Sequence, residues 1–480
     1  MARKVLKFGG SILKTREHFE IVSDVIIGEI ERKNVTVCVV SAISGVTDRL
    51  IQAVNAAQGA GVFDVHDFVR DLYDDYRMTL PPSVQESDLN QEFAQLEHTL
   101  EYIGSSGELN DSTYAFAVSR GEVFSCQVLS YHLRSKGVDN QFFFRGEELL
   151  VTDDDYRDAL VDLDRTQEKV DISLKPLVEK GTVPLISGFA GRSVDGRISI
   201  LGRGGSDDTA VCIAYCLGIK EVVKYVDQKG IMTIDPKFLE DVETNHPSVN
   251  GRLGKLPKPE VIPYLSYVEA SELMREERIK VAHYKVLNPL IMGDIHFHIK
   301  DITDPGSHGT VIGPENGGNG SAWYGRPKAI SFQRDLKGIS FLPTQSRTPT
   351  EVYALVFHAL AESSVDVRYI SISGYQISLL MPEHDVERAL QALESLDAAM
   401  NVSILEGRKG TFSIVGSGMR GVRGFLSRVT GTVAKYGVNI EQATQPYSEN
   451  IIRFSVDDAD IPLAVSALYS EFFNGGSKNE

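Results

Sequence analysis

From Val5 to Ala282 the apolar residues fall into two kinds of run that alternate along the chain. Continuous apolar stretches near 4–8, 35–41, 183–189, 197–201 and 222–226 predict strands. Stretches near 17–32, 121–136 and 208–217, with apolar residues every three or four positions, predict amphipathic helices. Strands such as VTVCVVSA do not alternate apolar with polar residues, so both of their faces need cover. The pattern predicts an α/β domain layered on a parallel or mixed sheet. Two helical stripes interrupt it over 64–103: Val65, Phe68, Val69, Leu72 and Tyr76, then Leu89, Phe93, Leu96, Leu100 and Ile103. This spacing predicts a helical hairpin insert.

Segment 313–328, GPENGGNGSAWYGRPK, has five glycines, two prolines and no periodicity, which marks a linker between domains. Beyond it the chain repeats a β-α-β-β pattern. A strand near 338–342, a helix 350–363 and strands 366–373 and 375–380 are echoed by 411–415, 422–436, 438–444 and 450–456. Duplicated modules of this kind are expected to pair over 329–480, leaving 1–312 as the first domain.

The net charge of −17, from 66 acidic against 49 basic residues, argues against a duplex nucleic-acid partner, which requires a concentrated basic surface. Four cysteines, Cys38, Cys126, Cys212 and Cys216, lie in apolar runs without metal-ligand spacing. They read as small buried hydrophobes in a reducing compartment. With no leader-like apolar segment and no run of about 18 apolar residues, the expectation is a cytoplasmic protein without a membrane span.

Candidate chemistry concentrates in SILGRGGSDD, 199–208, where Gly202, Gly204 and Gly205 stand between a strand and a helix. Glycines there allow several N–H groups to meet one anion at a helix N-terminus, a geometry for phosphate or carboxylate. KFGGS, 7–11, repeats the device after the first strand. Its Lys7 could neutralise a phosphoryl group that Gly9 and Gly10 also contact. The stretch 41–48 supplies hydroxyls at Ser41, Ser44 and Thr47, a turn and an N-cap if nothing more. Ser119 and Glu122 have capping-box spacing, so Glu122 is equally readable as a cap or as a site residue. Arg203 stands among glycines that give a long cation no packing reason, and its planar fork suits a carboxylate. Asp207 and Asp208 read as helix caps or as carboxylates at a phosphate site. Asp227, Lys237 and Lys285 are charged turn residues further along.

In order and spacing, KFGGS (7–11), VVSAISGVT (39–47), SRGE (119–122), ISGFAG (186–191), LGRGGSD (201–207), DQKGIMTIDPK (227–237) and KVLNP (285–289) resemble the motifs of aspartate kinases in the amino-acid kinase superfamily. The tail, SIVGSGMRGVRGFLSRV (413–429) and GVNIEQATQ (437–445), resembles the paired ACT modules of those enzymes. The resemblance implies an α/β/α kinase domain followed by two ferredoxin-like βαββαβ modules. It also implies ATP-dependent phosphorylation of the L-aspartate side chain, with Mg2+, at the head of lysine, threonine and methionine synthesis. By similarity Lys7 stabilises the transferred group and Asp207 aligns the reactants, while Arg203 and Glu122 hold the substrate α-carboxylate and α-ammonium. Ser41, Thr47 and Ser206 complete that pocket. Gly9, Gly10, Ser11, Asp227, Met232, Lys237 and Lys285 face the nucleotide.

Departures cluster on the nucleotide side, at Val226, Met232, Lys237, His283 and Asn288, and position 208 carries aspartate where the family commonly has tyrosine. They leave open a relative acting on another carboxylate, or a non-catalytic amino-acid sensor. In the second module Asn439 and Gln445 are retained as effector contacts, whereas Arg368 stands where feedback-inhibited relatives carry an aspartate. The modules imply a homodimer or higher homo-oligomer.

Overall fold

The computed structural model describes residues 3–59, 63–84, 89–274, 282–315, 323–343, 348–374, 376–394, 400–445 and 450–474. Internal contacts divide the chain into two units, one of residues 1–231, 261–274 and 281–317, the other of 232–260, 275–280 and 318–480. Part of the linker 313–328 lies outside the described residues. Segment 232–260, within the 1–312 domain drawn from sequence, clusters with the second unit. Thr233 shows why: its hydroxyl meets the Tyr469 hydroxyl at 2.8 Å, and its carbonyl accepts from the Ile330 amide.

The first unit holds strands β1 (Arg3–Phe8), β2 (Val35–Val40), β3 (Gln141–Arg145), β4 (Val151–Thr152), β5 (Val183–Ser187), β6 (Ala190–Ser193), β7 (Ile198–Ile200), β8 (Glu221–Val226), β9 (Tyr264–Ser266), β10 (His296–Asp301) and β11 (Thr310–Gly313). Eight form one sheet in the order β3-β5-β2-β1-β8-β10-β11-β9, parallel except between β10 and β11. The predicted strand 197–201 is β7, in a separate three-stranded sheet with β4 and β6. In the central strands Leu6 and Phe8 of β1 and Val223 and Tyr225 of β8 share one face, and Val5 and Val222 are buried on the other, all nearly inaccessible. The alternation of strand side chains sends Lys7 and Lys224 to the face of Val5 and Val222. In open parallel sheets ligands sit outside the carboxyl ends of the strands; the first glycine loop, after β1, and residues 41–47, after β2, emerge there, while the 202–205 loop follows β7 of the smaller sheet.

The insert is a hairpin of helices Val65–Thr79 and Asn90–Ser106. Val69, Leu72, Tyr76, Phe93, Leu96, Leu100 and Ile103 are buried as the stripes require. The Phe93 ring stacks on Phe124 with centroids 3.9 Å apart, which docks the hairpin on helix Arg120–Ser135.

The second unit holds β12 (Ala329–Pro343), β13 (Tyr369–Ser373), β14 (Gln376–Pro382), β15 (Met400–Ile404), β16 (Lys409–Val415), β17 (Gln442–Thr444) and β18 (Ile451–Asp457) in one sheet. The two modules are nested rather than consecutive. The second half of β12 pairs with β14 and β15 and, with β13, gives the first module the order 4-1-3-2 of a βαββαβ fold. The first half, 329–333, pairs with β16 and serves the second module as its fourth strand. A register shift between Gln333 and Leu336, with Asp335 at φ 57°, separates the two halves of this one strand.

Candidate active site

Lys7 and Lys224 are cross-strand neighbours in the parallel register of β1 and β8. Two buried ammoniums side by side repel unless a counter-charge lies between them. Asp207 supplies it. Gly204, at φ 79°, turns the chain into helix Gly205–Cys216, and its third residue brings Oδ1 to 2.7 Å from Lys7 Nζ and Oδ2 to 2.7 Å from Lys224 Nζ. All three side chains are buried. Burial alone would push the Asp207 carboxyl up, but the Lys224 and Lys7 charges outweigh it and hold it down at about 2. Burial lowers the Lys7 ammonium, and Lys224 adds to that while Asp207 and Glu122 oppose it. The two anion loops named from sequence therefore converge.

Glu122 lies within electrostatic reach of Lys7. It is the third residue of helix Arg120–Ser135, whose start carries no side-chain cap; Ser119 Oγ donates to Phe116 O instead. The capping-box reading is thus excluded. Burial pushes the Glu122 carboxyl up to about 8, against the backbone of Ala42, its own backbone, and the Arg120 and Lys7 charges. Its Oε2 is buried with no hydrogen-bond partner. An unpaired buried carboxylate oxygen is costly, and a cationic ligand group would relieve it. Two glycines bring these elements together. A Cβ at Gly121 would stand 2.8 Å from Ala42 Cβ, and one at Gly10 would stand 2.5 Å from Ala42 O.

Loop 41–47 is fixed by the amides of Ser41 to Phe8 O and Ser44 to Gly10 O, both at 3.1 Å, with Ser41 and Thr47 half-buried. The insert adds Tyr76, whose hydroxyl donates to Gly121 O at 2.9 Å. Ser206 is buried against Gly188, and Arg203 is exposed on the loop.

Among the residues expected to face the nucleotide, two make other contacts. The Gly9 amide, expected to meet phosphate, donates to Tyr225 O at 3.3 Å. Lys285, expected to offer positive charge, is buried and donates to Asp158 Oδ1 at 2.7 Å, Asp158 O at 2.8 Å, Leu201 O at 3.0 Å and Ala159 O at 3.3 Å. It ties the glycine loop to 158–159, because the carbonyls of the buried Ala159 and Leu201 need donors. Ser11 Oγ donates to Asp227 Oδ1 at 3.0 Å, so those two residues meet as expected. Met232 and Lys237 belong to the second unit, as do Asn439 and Gln445, both exposed.

Sequence reasoning missed Lys224, although the lysine amid EVVKYV was its signal: a charge inside an otherwise apolar strand. It also missed the buried network behind Glu122. Arg120 is 1 % exposed, donates to Glu147 Oε1 at 2.7 Å and lies 3.8 Å from Glu92 Oε2 of the insert, while Arg145 pairs with Glu92. Among the described residues no three His, Cys, Asp or Glu side chains cluster as a metal site, and no helix is long and apolar enough to cross a membrane.

Comparison with known proteins bears on the fold and the family. Aspartokinase 1, chloroplastic, of Arabidopsis thaliana is 27% identical over 490 residues, covering 99% of this chain and 81% of the relative. The structure of E. coli aspartokinase III in complex with aspartate and ADP (R-state) superposes with a TM-score of 0.80 at 22% identity, over 98% of this chain and 100% of that one. The lysine and aspartate complex of the same enzyme (T-state) gives 0.73, again at 22% identity, over 98% and 99%. These superpositions show a shared fold. Residues 412–472 match the ACT domain. Since the sequence model of the amino acid kinase family spans residues 2–301, well over half of its length, the chain belongs to the amino acid kinase family.

Proposed function

We propose that this chain is an aspartate kinase, transferring the γ-phosphoryl group of ATP to the β-carboxylate of L-aspartate. The carrying observation is the buried Lys7–Asp207–Lys224 cluster beside the unpaired oxygen of Glu122. A carboxylate oxygen of the substrate attacks Pγ, the bond from Pγ to the bridging oxygen breaks, and ADP leaves. An aspartate side chain is ionised near neutral pH, so no general base is needed, and the protein's work is alignment and charge neutralisation.

Lys7 meets the charge that develops on the migrating group. Asp207 holds it there, Glu122 receives the substrate α-ammonium, and Arg203 takes the α-carboxylate with Ser41, Thr47 and Ser206 around it. Gly9, Gly10, Ser11 and Asp227 line the nucleotide side, where the Ser11–Asp227 hydrogen bond supports the reading. Met232 and Lys237 rest on their sequence positions alone. Lys285 acts by holding the glycine loop. Bound to the ATP phosphates, Mg2+ would supply further charge neutralisation; Asp207, with a lysine 2.7 Å from each oxygen, would not hold it.

Release of ADP with L-aspartate and MgATP tests the reading. Lys7→Ala is expected to lower kcat by about 10²–10³-fold, the scale for removing one preorganised electrostatic partner. Unchanged turnover in that variant removes the mechanism. Activity on L-glutamate or a simple carboxylate in place of L-aspartate would redirect it to another acceptor.

A second expectation concerns protons. With its carboxyl pushed up to about 8, Glu122 is mostly protonated at neutral pH in the free protein and must ionise to meet an ammonium. Binding of L-aspartate near pH 7 should release about one proton per site, and none above about pH 9. Calorimetry in buffers of different ionisation enthalpy measures this. Proton uptake at neutral pH would take Glu122 out of the substrate site.

Pairing of copies through the ACT modules is part of the same proposal. β13 is an edge strand, and Ile370 and Ile372 on it are 42% and 45% exposed. An apolar unpaired edge invites another strand. An amino-acid effector near Asn439 and Gln445 and a reducing, cytoplasmic setting complete the reading, the latter supported by four free cysteines, all buried.

A further inference from the structure

We infer that Lys224 is a positioning residue for phosphoryl transfer: it grips one oxygen of Asp207 so that the other presents the Lys7 ammonium to the migrating group. The inference rests on the aspartate kinase reading for the identity of that group, but its structural content is independent of the acceptor.

Three observations carry it. Lys224 and Lys7 are paired positions on adjacent parallel strands, on the face of the sheet opposite Leu6, Phe8, Val223 and Tyr225. Each reaches a different oxygen of one carboxylate at the same 2.7 Å. A carboxylate bound through one oxygen can rotate about its bond to Cβ, whereas one held through both has a fixed plane. Lys285, the other lysine that a phosphoryl site could recruit, is committed to Asp158, Ala159 and Leu201. Lys224 is therefore the second cation of the cluster.

The consequence for Lys7 is geometric and electrostatic. With the carboxylate plane fixed, the ion pair from Asp207 Oδ1 at 2.7 Å holds the Lys7 ammonium charge in one place. The charged groups acting on Lys7 are Asp207 from helix Gly205–Cys216, Lys224 from β8 and Glu122 from helix Arg120–Ser135. Of these Lys224 alone has the same sign, so it lowers the pH at which Lys7 loses its proton. Removing it raises that pH.

The test compares wild-type protein with Lys224→Met and Lys224→Arg. Competitive acylation of lysines across pH, read by peptide mass spectrometry, gives the Lys7 titration midpoint without any turnover. In Lys224→Met the midpoint should rise and the alkaline limb of kcat should rise with it. Its kcat should fall at least about 30-fold, with KM for L-aspartate within about threefold. Lys224→Arg keeps charge and donor, so it should hold the wild-type midpoint and retain kcat within about tenfold. An unmoved Lys7 midpoint in Lys224→Met overturns the inference. A folded Lys224→Arg as inactive as Lys7→Ala does so too, even where the methionine variant fails to fold. Should wild-type protein release no ADP with L-aspartate, the aspartate kinase reading falls, and the Lys7 midpoint still decides the role of Lys224.

Discussion

Asp207→Ala is expected to lose at least about 10³-fold in turnover and ~3–5 kcal/mol in stability, the largest combined effect in the molecule. The variant leaves Lys7 and Lys224 as neighbouring buried ammoniums with their shared counter-charge removed. The cost of breaking a buried pair lies mostly in the charges left behind. A lysine whose folded pKa falls below its unfolded value contributes stability that is present above the unfolded pKa and lost as pH falls. The deficit of the variant should therefore be larger at pH 7 than near pH 10. In the wild-type protein the sign belongs to the carboxylate. Held at about 2, Asp207 contributes stability above its ordinary value near 3.8 that is lost as pH falls toward 2. Denaturant unfolding across pH checks both. A deficit that grows toward alkaline pH would refute the assignment of Asp207 as the shared counter-ion.

The second large effect is expected at Arg120, whose guanidinium is buried one residue before Gly121-Glu122. It donates to Glu147 Oε1 at 2.7 Å, Phe116 O at 3.0 Å and Ser119 Oγ at 3.1 Å, and it lies over the Phe116 ring at 4.2 Å. Arg120→Met keeps much of the apolar stem and removes every one of these polar contacts. It strands Glu147, which is 3% exposed, at a cost of ~3–5 kcal/mol. Glu92 keeps Arg145 as a partner, so the damage centres on Glu147. Hydrogen exchange in helix Arg120–Ser135 reads the loss where it occurs. Glu147→Gln in the same chain should restore part of the protection, and a purely additive double variant would show that the pair is not coupled. Because Glu122 rides on the same first turn, affinity for L-aspartate is expected to fall with the protection.

Much of the fold was legible because it is written in local periodicity. The runs that became β1, β2, β5 and β8 are continuous and apolar, and the stripes Leu72–Tyr76 and Phe93–Ile103 have helical spacing and are buried on that spacing. β3, β9, β10 and β11 were not predicted. QFFFR and HFHIKD mix buried positions with partly or fully exposed ones, and β9 and β11 are three and four residues long. Nesting of the ACT modules was hidden for a different reason. Nothing in residues 329–333 tells the chain to pair with β16, some eighty positions later, rather than with a nearer strand.

For the site, the sequence by itself determined which residue types stand at the two glycine loops and that Lys7 and Arg203 were side chains to watch, while Glu122 and Asp207 were readable as caps or as site residues until the resemblance to aspartate kinases gave them roles. It determined this because turn chemistry and charge in apolar surroundings are local properties. Tertiary structure alone decided that Lys224 shares Asp207 with Lys7, that Lys285 is spent on carbonyls, and that Glu122 is buried with a free oxygen rather than capping its helix. Those facts depend on strand register, on the close approach permitted at Gly10 and Gly121, and on desolvation, all set by segments distant along the chain.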